Sequence, residues 1–309
     1  MPKRIGFAKQ RRDQGRSLSS AVRDLMVIME PLAQEQGINL RTVQNQAAAR
    51  KEKEKQLLTE RLQESVIPLF IYRDGQPDRI GSCVLVHLDS EFYAFTAAHV
   101  IRDAGSAKLF APSEGKGGKL QPLPPCTAHL KASGSNNDLD VGVLALPAGR
   151  LGAFQHHVFL AGADIDQEDL PDDQDDLRSF YFVLGYSASR TQVKVSRAER
   201  RIHQQSFRCS TQPVDPAEYV QEGMAKSDHI LLDFDHKEIH VEGKRTSPPK
   251  LQGVSGGGIF LIFRKPMRGP LVAIATEHRR RPRLIVGTRI KHFLGVVRAL
   301  KSTCPSGSL

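Results

Sequence analysis

Ser255, His99 and Asp140 are the residues whose types and settings could do chemistry. Ser255 lies in the turn Gly253-Val254-Ser255-Gly256-Gly257-Gly258, and His99 ends the run Phe95-Thr96-Ala97-Ala98-His99-Val100. Asp140 falls in Asn136-Asn137-Asp138-Leu139-Asp140-Val141-Gly142-Val143-Leu144-Ala145-Leu146, an acid leading into an apolar strand. A serine hydroxyl is a weak nucleophile that needs an adjacent base, and an imidazole base needs a carboxylate to fix its tautomer. A glycine-rich turn can aim backbone N–H groups at a developing oxyanion without steric cost. The chemistry such a set performs is nucleophilic acyl transfer. Taken singly each motif is weak; their joint occurrence in the order His, Asp, Ser, each at a strand boundary, is specific. Asp138 competes with Asp140 for the role of the acid, and Asp140 is favoured because it directly precedes the apolar strand.

The elements that must position these groups change character near residue 64. Before it, Leu18, Val22, Leu25, Met29 and Leu32 recur at spacings of 4, 3, 4 and 3, one stripe of an amphipathic helix. Gly37 and Asn39 end that helix, and a more polar one is predicted from about Arg41 to Glu64. The charged run from Arg50 to Lys55 has no apolar seam, which argues against a sustained coiled coil. After residue 64 the spacing predicts strands at Val66 to Tyr72, Ile80 to Leu88, Phe92 to Thr96, Leu139 to Leu146, Ser179 to Gly185, His229 to Phe234, Ile259 to Phe263 and Leu271 to Thr276. Short strands without intervening amphipathic helices predict an all-β sandwich or barrel pair. One helix follows, with Ile290, Phe293, Leu294, Val297 and Leu300 on one face and Thr288 as its expected N-cap. Between the strand-rich halves, residues 164–176 hold eight acidic residues in thirteen. Their spacing does not match an EF-hand, and they read as a solvated loop.

Composition narrows the function classes. The chain has 309 residues, 39% hydrophobic and 25% charged, an ordinary globular balance. No run reaches the roughly 18 apolar residues of a membrane-spanning helix. The basic N-terminus has no apolar stretch behind it, so a cytoplasmic protein is expected. Cys83, Cys126, Cys209 and Cys304 form neither a CxxC pair nor a disulfide-dense pattern. His229, His236 and His240 lie near Asp233 and Asp235 but lack the spacing of a zinc site, so neither metal nor cofactor is expected. Residues 1–63 carry 13 basic and 7 acidic side chains, +6 of the net +10. Other basic clusters are Arg197 to Arg201 and His278 to Arg283. Such patches can attract nucleic acid or an acidic partner, yet no stacking aromatics interleave them and Trp is absent, which favours solvated faces.

At these motifs the sequence resembles the chymotrypsin-like (trypsin-like) serine proteases. Thr96-Ala97-Ala98-His99 looks like their histidine motif, Asp140-Val141-Gly142-Val143-Leu144 like their Asp-Ile-Ala-Leu-Leu strand, and Gly253-Val254-Ser255-Gly256-Gly257 like their Gly-Asp-Ser-Gly-Gly turn. Ile80-Gly81-Ser82-Cys83-Val84-Leu85-Val86 resembles the approach strand. Val183-Leu184-Gly185-Tyr186-Ser187 resembles the Gly-Tyr-Pro turn of bacterial members, with Ser187 in place of proline. Over about residues 65–301 the resemblance implies two six-stranded antiparallel β-barrels, near 65–163 and 178–287, and a C-terminal helix near 288–301, with residues 302–309 a tail. It implies Ser255 as nucleophile, His99 as general base and acid, Asp140 as orienter, and the N–H groups of Gly253 and Ser255 as the oxyanion hole. Thr276 falls where the family has a serine near the buried carboxylate, to which a threonine can make the same hydrogen bond, and Glu277, His278 and Pro249 fall at the substrate-binding strand and pocket.

The departures matter as much. Val100 stands where disulfide-bonded members have cysteine, which suits an intracellular, disulfide-free member, and the turn at Gly185 suits a bacterial one. Val254 stands where secreted members have the aspartate that captures a new N-terminus, so activation by cleavage is not expected. Residues 1–63 are then expected to be a helical docking or regulatory segment, their apolar stripe buried against the barrels or another protein. The leading expectation is a serine endopeptidase acting on protein or peptide substrates. The alternatives are a catalytically silent protease-like binding module and a basic nucleic-acid-binding protein.

Overall fold

The computed structural model describes residues 40–113, 117–123, 127–131, 139–166, 179–187, 201–203, 206–234, 239–241, 244–246, 253–264, 267–280 and 283–303. The first expected helix, Asp138, most of the acidic loop, Pro249, His236, Cys126 and Cys304 lie outside these residues. The chain divides into two compact units, Met1–Gln56 and Leu57–Leu309. Helix α1 (Leu40–Ser65) matches the expectation of about Arg41 to Glu64. The unit boundary falls earlier than the expected 63/64, because Leu58 and Leu62 already pack into the core of the second unit.

The second unit is built of antiparallel strands. In the first half run β1 (Val66–Arg73), β2 (Gln76–Leu88), β3 (Glu91–Thr96), the short helix α2 (Ala98–Ala104), β4 (Phe110–Pro112), β5 (Gly117–Pro122), β6 (Thr127–Lys131) and β7 (Val141–Leu146). The second half has β8 (Ser179–Gly185), β9 (Arg201–His203), β10 (Phe207–Thr211), helix α3 (Pro216–Gln221), β11 (His229–Asp233), β12 (Ile239–Val241), β13 (Lys244–Thr246), β14 (Gly258–Arg264), β15 (Met267–Arg268), β16 (Leu271–Arg280), β17 (Arg283–Arg289) and helix α4 (Ile290–Thr303). One sheet has the order β6-β7-β3-β2-β1-β4-β5-β9 and the other β10-β8-β14-β16-β17-β11 with β15 beside β14. The expected six strands are met along the second path. The first sheet is larger, with eight strands, because the half supplies seven and β9 crosses over to pair with β5.

Period-2 alternation sorts these strands between cores. In β2, Cys83 and Leu85 enter the core of the first sheet while Val84 and Val86 enter a cluster that also takes Leu184, Phe260, Ile262, Leu271 and Ile274 from the second. In β14, Ile259, Leu261 and Phe263 face the second sheet's own core and Phe260 and Ile262 the shared one. Strands buried on both faces therefore read as unbroken apolar runs. Helix α4 seals the shared cluster with Ile290, Phe293, Leu294 and Val297, its Phe293 ring 5.3 Å from that of Phe95. Thr288 is not its N-cap: that residue is fully buried in β17, paired with His229 and Ile274, and the strand runs into the helix at Ile290.

Candidate active site

His99 is placed by the turn from β3 into α2. The N-cap of α2 is Ala97, whose side chain can accept nothing, so the first-turn N–H groups need another acceptor. Asp140 supplies it, taking the His99 backbone N–H on Oδ1 at 2.9 Å. Its other oxygen accepts the His99 Nδ1–H at 2.5 Å. A carboxylate can only accept here, so the proton sits on Nδ1 and leaves Nε2 as the basic atom. The guanidinium of Arg102 stands 3.7 Å from Oδ1. Burial raises the Asp140 pKa, but the His99 ring, its backbone N–H and Arg102 outweigh burial and hold the carboxyl below its ordinary value. The residue beside β7 is thus bound twice to the histidine. Gly142 permits this approach: a Cβ there would lie 3.1 Å from the Ala97 carbonyl oxygen.

Ser255 sits on the turn before β14. Gly253 and Gly256 have φ of +91° and +85°, backbone that side chains rarely adopt. At Gly256 space forbids a side chain as well, since a Cβ would fall 1.9 Å from the Ser82 carbonyl oxygen and 2.3 Å from Thr96 Oγ1. The turn is anchored to its own sheet by Gly256 N–H to the Ala275 carbonyl (2.7 Å) and Ala275 N–H to the Gly257 carbonyl (2.8 Å), and is closed on itself by Gly257 N–H to the Val254 carbonyl (2.8 Å). It is anchored to the first sheet by Ser82, whose N–H donates to the Ser255 carbonyl at 2.8 Å and whose Oγ donates to the Gly253 carbonyl at 2.9 Å. Gly81 then lies between the serine and the histidine helix: a Cβ on it would be 2.7 Å from both Val100 methyls and 3.1 Å from the Ser255 carbonyl oxygen. Among the described residues, the N–H groups of Gly253 and Ser255 meet no acceptor.

Thr276 is the bulged residue between Ala275 and Glu277 where β16 pairs with β17. Its carbonyl accepts the Ser255 hydroxyl at 3.3 Å. Its own hydroxyl donates to the Val286 carbonyl, also at 3.3 Å, and not to Asp140, so the expectation of a bond to the buried acid does not hold: the bulge turns that side chain toward β17. Glu277 is half exposed and bound by Arg279, which also bonds Glu222 at the end of α3. The basic cluster at 278–283 therefore begins in strand β16 and includes an ion-paired arginine. The His278 ring lies edge-on to Phe234, centroids 5.5 Å apart.

Two residues near the turn carry weight that sequence reasoning missed. In sequence Ser82 is one residue of the approach strand and nothing more. A hydroxyl in the otherwise apolar run Cys83-Val84-Leu85-Val86 is the signal, since buried polar groups need partners. Arg79, nine-tenths buried, donates from Nη1 to the Ser187 carbonyl at 2.5 Å and lies over the rings of Phe70 and Tyr186. It holds the turn in which serine replaced proline. Burial pushes its pKa down to about 10, which still leaves it charged at neutrality.

No protein-family model and no curated protein matches the chain. Among solved structures, kallikrein-related peptidase 10 in complex with Zn2+ is similar at a TM-score of 0.46 and 17% identity, over 78% of this chain and 97% of that one. A structure from work on aromatic interactions in the coupled folding and binding of the intrinsically disordered Sesbania mosaic virus VPg protein is similar at a TM-score of 0.42 and 13% identity, over 74% of this chain and 87% of that one.

Proposed function

We propose that the chain is a chymotrypsin-like serine endopeptidase that cleaves protein or peptide substrates through an acyl-enzyme. The observation that carries this reading is the His99–Asp140 pair, held by two hydrogen bonds with Nε2 left basic, beside a serine turn whose N–H groups at Gly253 and Ser255 meet no acceptor among the described residues. Ser255 Oγ attacks the scissile carbonyl carbon while His99 Nε2 takes the hydroxyl proton. The two N–H groups receive the oxyanion, His99 passes the proton to the leaving nitrogen, and the C–N bond breaks. Water then attacks the ester with His99 again as base, releasing the acid and restoring Ser255.

The hydroxyl must first leave the Thr276 carbonyl. A substrate laid along β16 where it runs past its pairing with β14, which ends at Ile274, brings a backbone N–H to that same carbonyl and so competes with the serine for it. Binding would release Oγ to turn toward His99. Control by a partner docked on the helical segment before Leu57 is part of the same reading.

Incubation with a fluorophosphonate probe tests it. The adduct is expected on Ser255 and lost in Ser255→Ala. The bond from Oγ to Thr276 is the observation that favours a second reading, a protease-like binding module, and a folded protein left unlabelled would establish that one instead.

A further inference from the structure

We infer that Ser82 is a positioning residue for the nucleophile turn: its hydroxyl, carried by the first sheet, fixes the peptide between the two N–H groups that would receive the oxyanion. The inference rests on the serine-hydrolase reading of Ser255 and deepens it.

Ser82 is fully buried in β2, opposite Pro68. Its Oγ donates to the Gly253 carbonyl at 2.9 Å and accepts the Tyr186 N–H at 3.0 Å. Its N–H donates to the Ser255 carbonyl at 2.8 Å, and its carbonyl accepts the Thr96 hydroxyl at 2.7 Å. One residue thus joins the histidine strand, the turn at Tyr186 and two carbonyls of the serine turn, those of Gly253 and Ser255. The hydroxyl is the part that matters. Gly253 has no Cβ to restrict rotation about its bonds, so its carbonyl swings unless something holds it, and the swing re-aims the N–H groups on either side. Val254, buried and apolar, offers no polar group for the purpose. Losing the hydroxyl would also remove this hydrogen bond from a buried carbonyl and from a buried N–H.

Ser82→Ala keeps the backbone bonds and removes only Oγ. In the full-length protein kcat should fall about 10- to 100-fold with KM little changed, less than the ~10²–10³-fold loss on deleting an oxyanion donor. Affinity for a peptide boronic acid, which mimics the tetrahedral species, should fall by the same factor. Ser82→Thr, which keeps the hydroxyl, should recover most of both. The amide ¹H–¹⁵N signals of Gly253, Ser255 and Tyr186 should shift in Ser82→Ala while those of β7 stay in place. Unchanged kcat and boronate affinity, or amide shifts spread evenly through the protein, would overturn the inference. If the wild type itself takes no fluorophosphonate, the protease reading fails, and the amide signals alone still decide whether Ser82 holds the turn.

Discussion

Asp140 performs two tasks with two oxygens, capping α2 through the His99 backbone and orienting the ring through Nδ1. The two separate on substitution. In Asp140→Asn the amide oxygen can still accept one N–H, so the fold should persist. The amide nitrogen cannot accept from Nδ1–H, so the imidazole would take the wrong tautomer. Turnover should fall about 10⁴-fold, measured as kcat on a peptide substrate, with the melting temperature nearly unchanged. Asp138→Asn should leave turnover near normal, and the reverse outcome would move the acid to Asp138. At this scale the ingredients were legible because the three motifs, each weak alone, occur together in the order His, Asp, Ser, each at a strand boundary. Ser82 and Arg79 were not, because a lone polar residue in an apolar strand gives no hint of which distant carbonyl it meets.

Among the elements, the end of α1 belongs with the two sheets. Leu62 is almost fully buried in the shared cluster, Arg61 pairs with Asp164 at 2.5 Å, Gln63 bonds Ser206 at 3.0 Å, and the Glu64 carbonyl takes the Val158 N–H. Leu62→Ala should cost about 2–5 kcal/mol of stability by denaturant titration. Leu57→Ala, at a side chain more than half exposed, should cost little. A chain beginning at Leu57 should melt like the full-length protein, whereas one beginning at Val66 should melt well below it. Equal melting of the two truncations would remove α1 from the core. Most of the long strands and helix α4 were readable from periodicity, and α1 from the Gly37 and Asn39 stop that precedes it. The short β4 and β5 were hidden among Pro112, Gly117, Gly118 and Pro122, and β17 was hidden by arginines at both ends, which read as surface charge although Leu284 to Thr288 is buried. Tertiary pairing, not local pattern, makes those segments strands.

For the molecule as a whole, the two sheets share one cluster of side chains, so heat should unfold residues 57–303 in a single calorimetric transition. Acid should weaken it in a defined window. Burial pushes His157 and His229 below the ordinary histidine value of 6.5, the opposing hydrogen bonds and charges being smaller. Below about 6.5 the unfolded chain therefore binds more protons than the folded one. Stability should decline as pH falls through that value toward the lower folded ones, and be flat above it. Asp140, with its pKa lowered in the fold, adds a separate loss only in stronger acid. Melting temperatures across the range, repeated on His157→Gln, check this: the variant should show a shallower decline.

The place of α4 in chain order has a consequence for synthesis. Every strand is made before Ile290, yet the helix supplies the side chains that close the core between the sheets, and Lys301 ties it back to Asp89 at 2.7 Å. A nascent chain whose α4 is still inside the ribosome has its histidine, aspartate and serine already translated but no sealed seam to align them. On the proposed reading, hydrolysis would thus begin only once α4 has emerged and closed that seam, so a half-made chain would not cut the unfolded polypeptide around it.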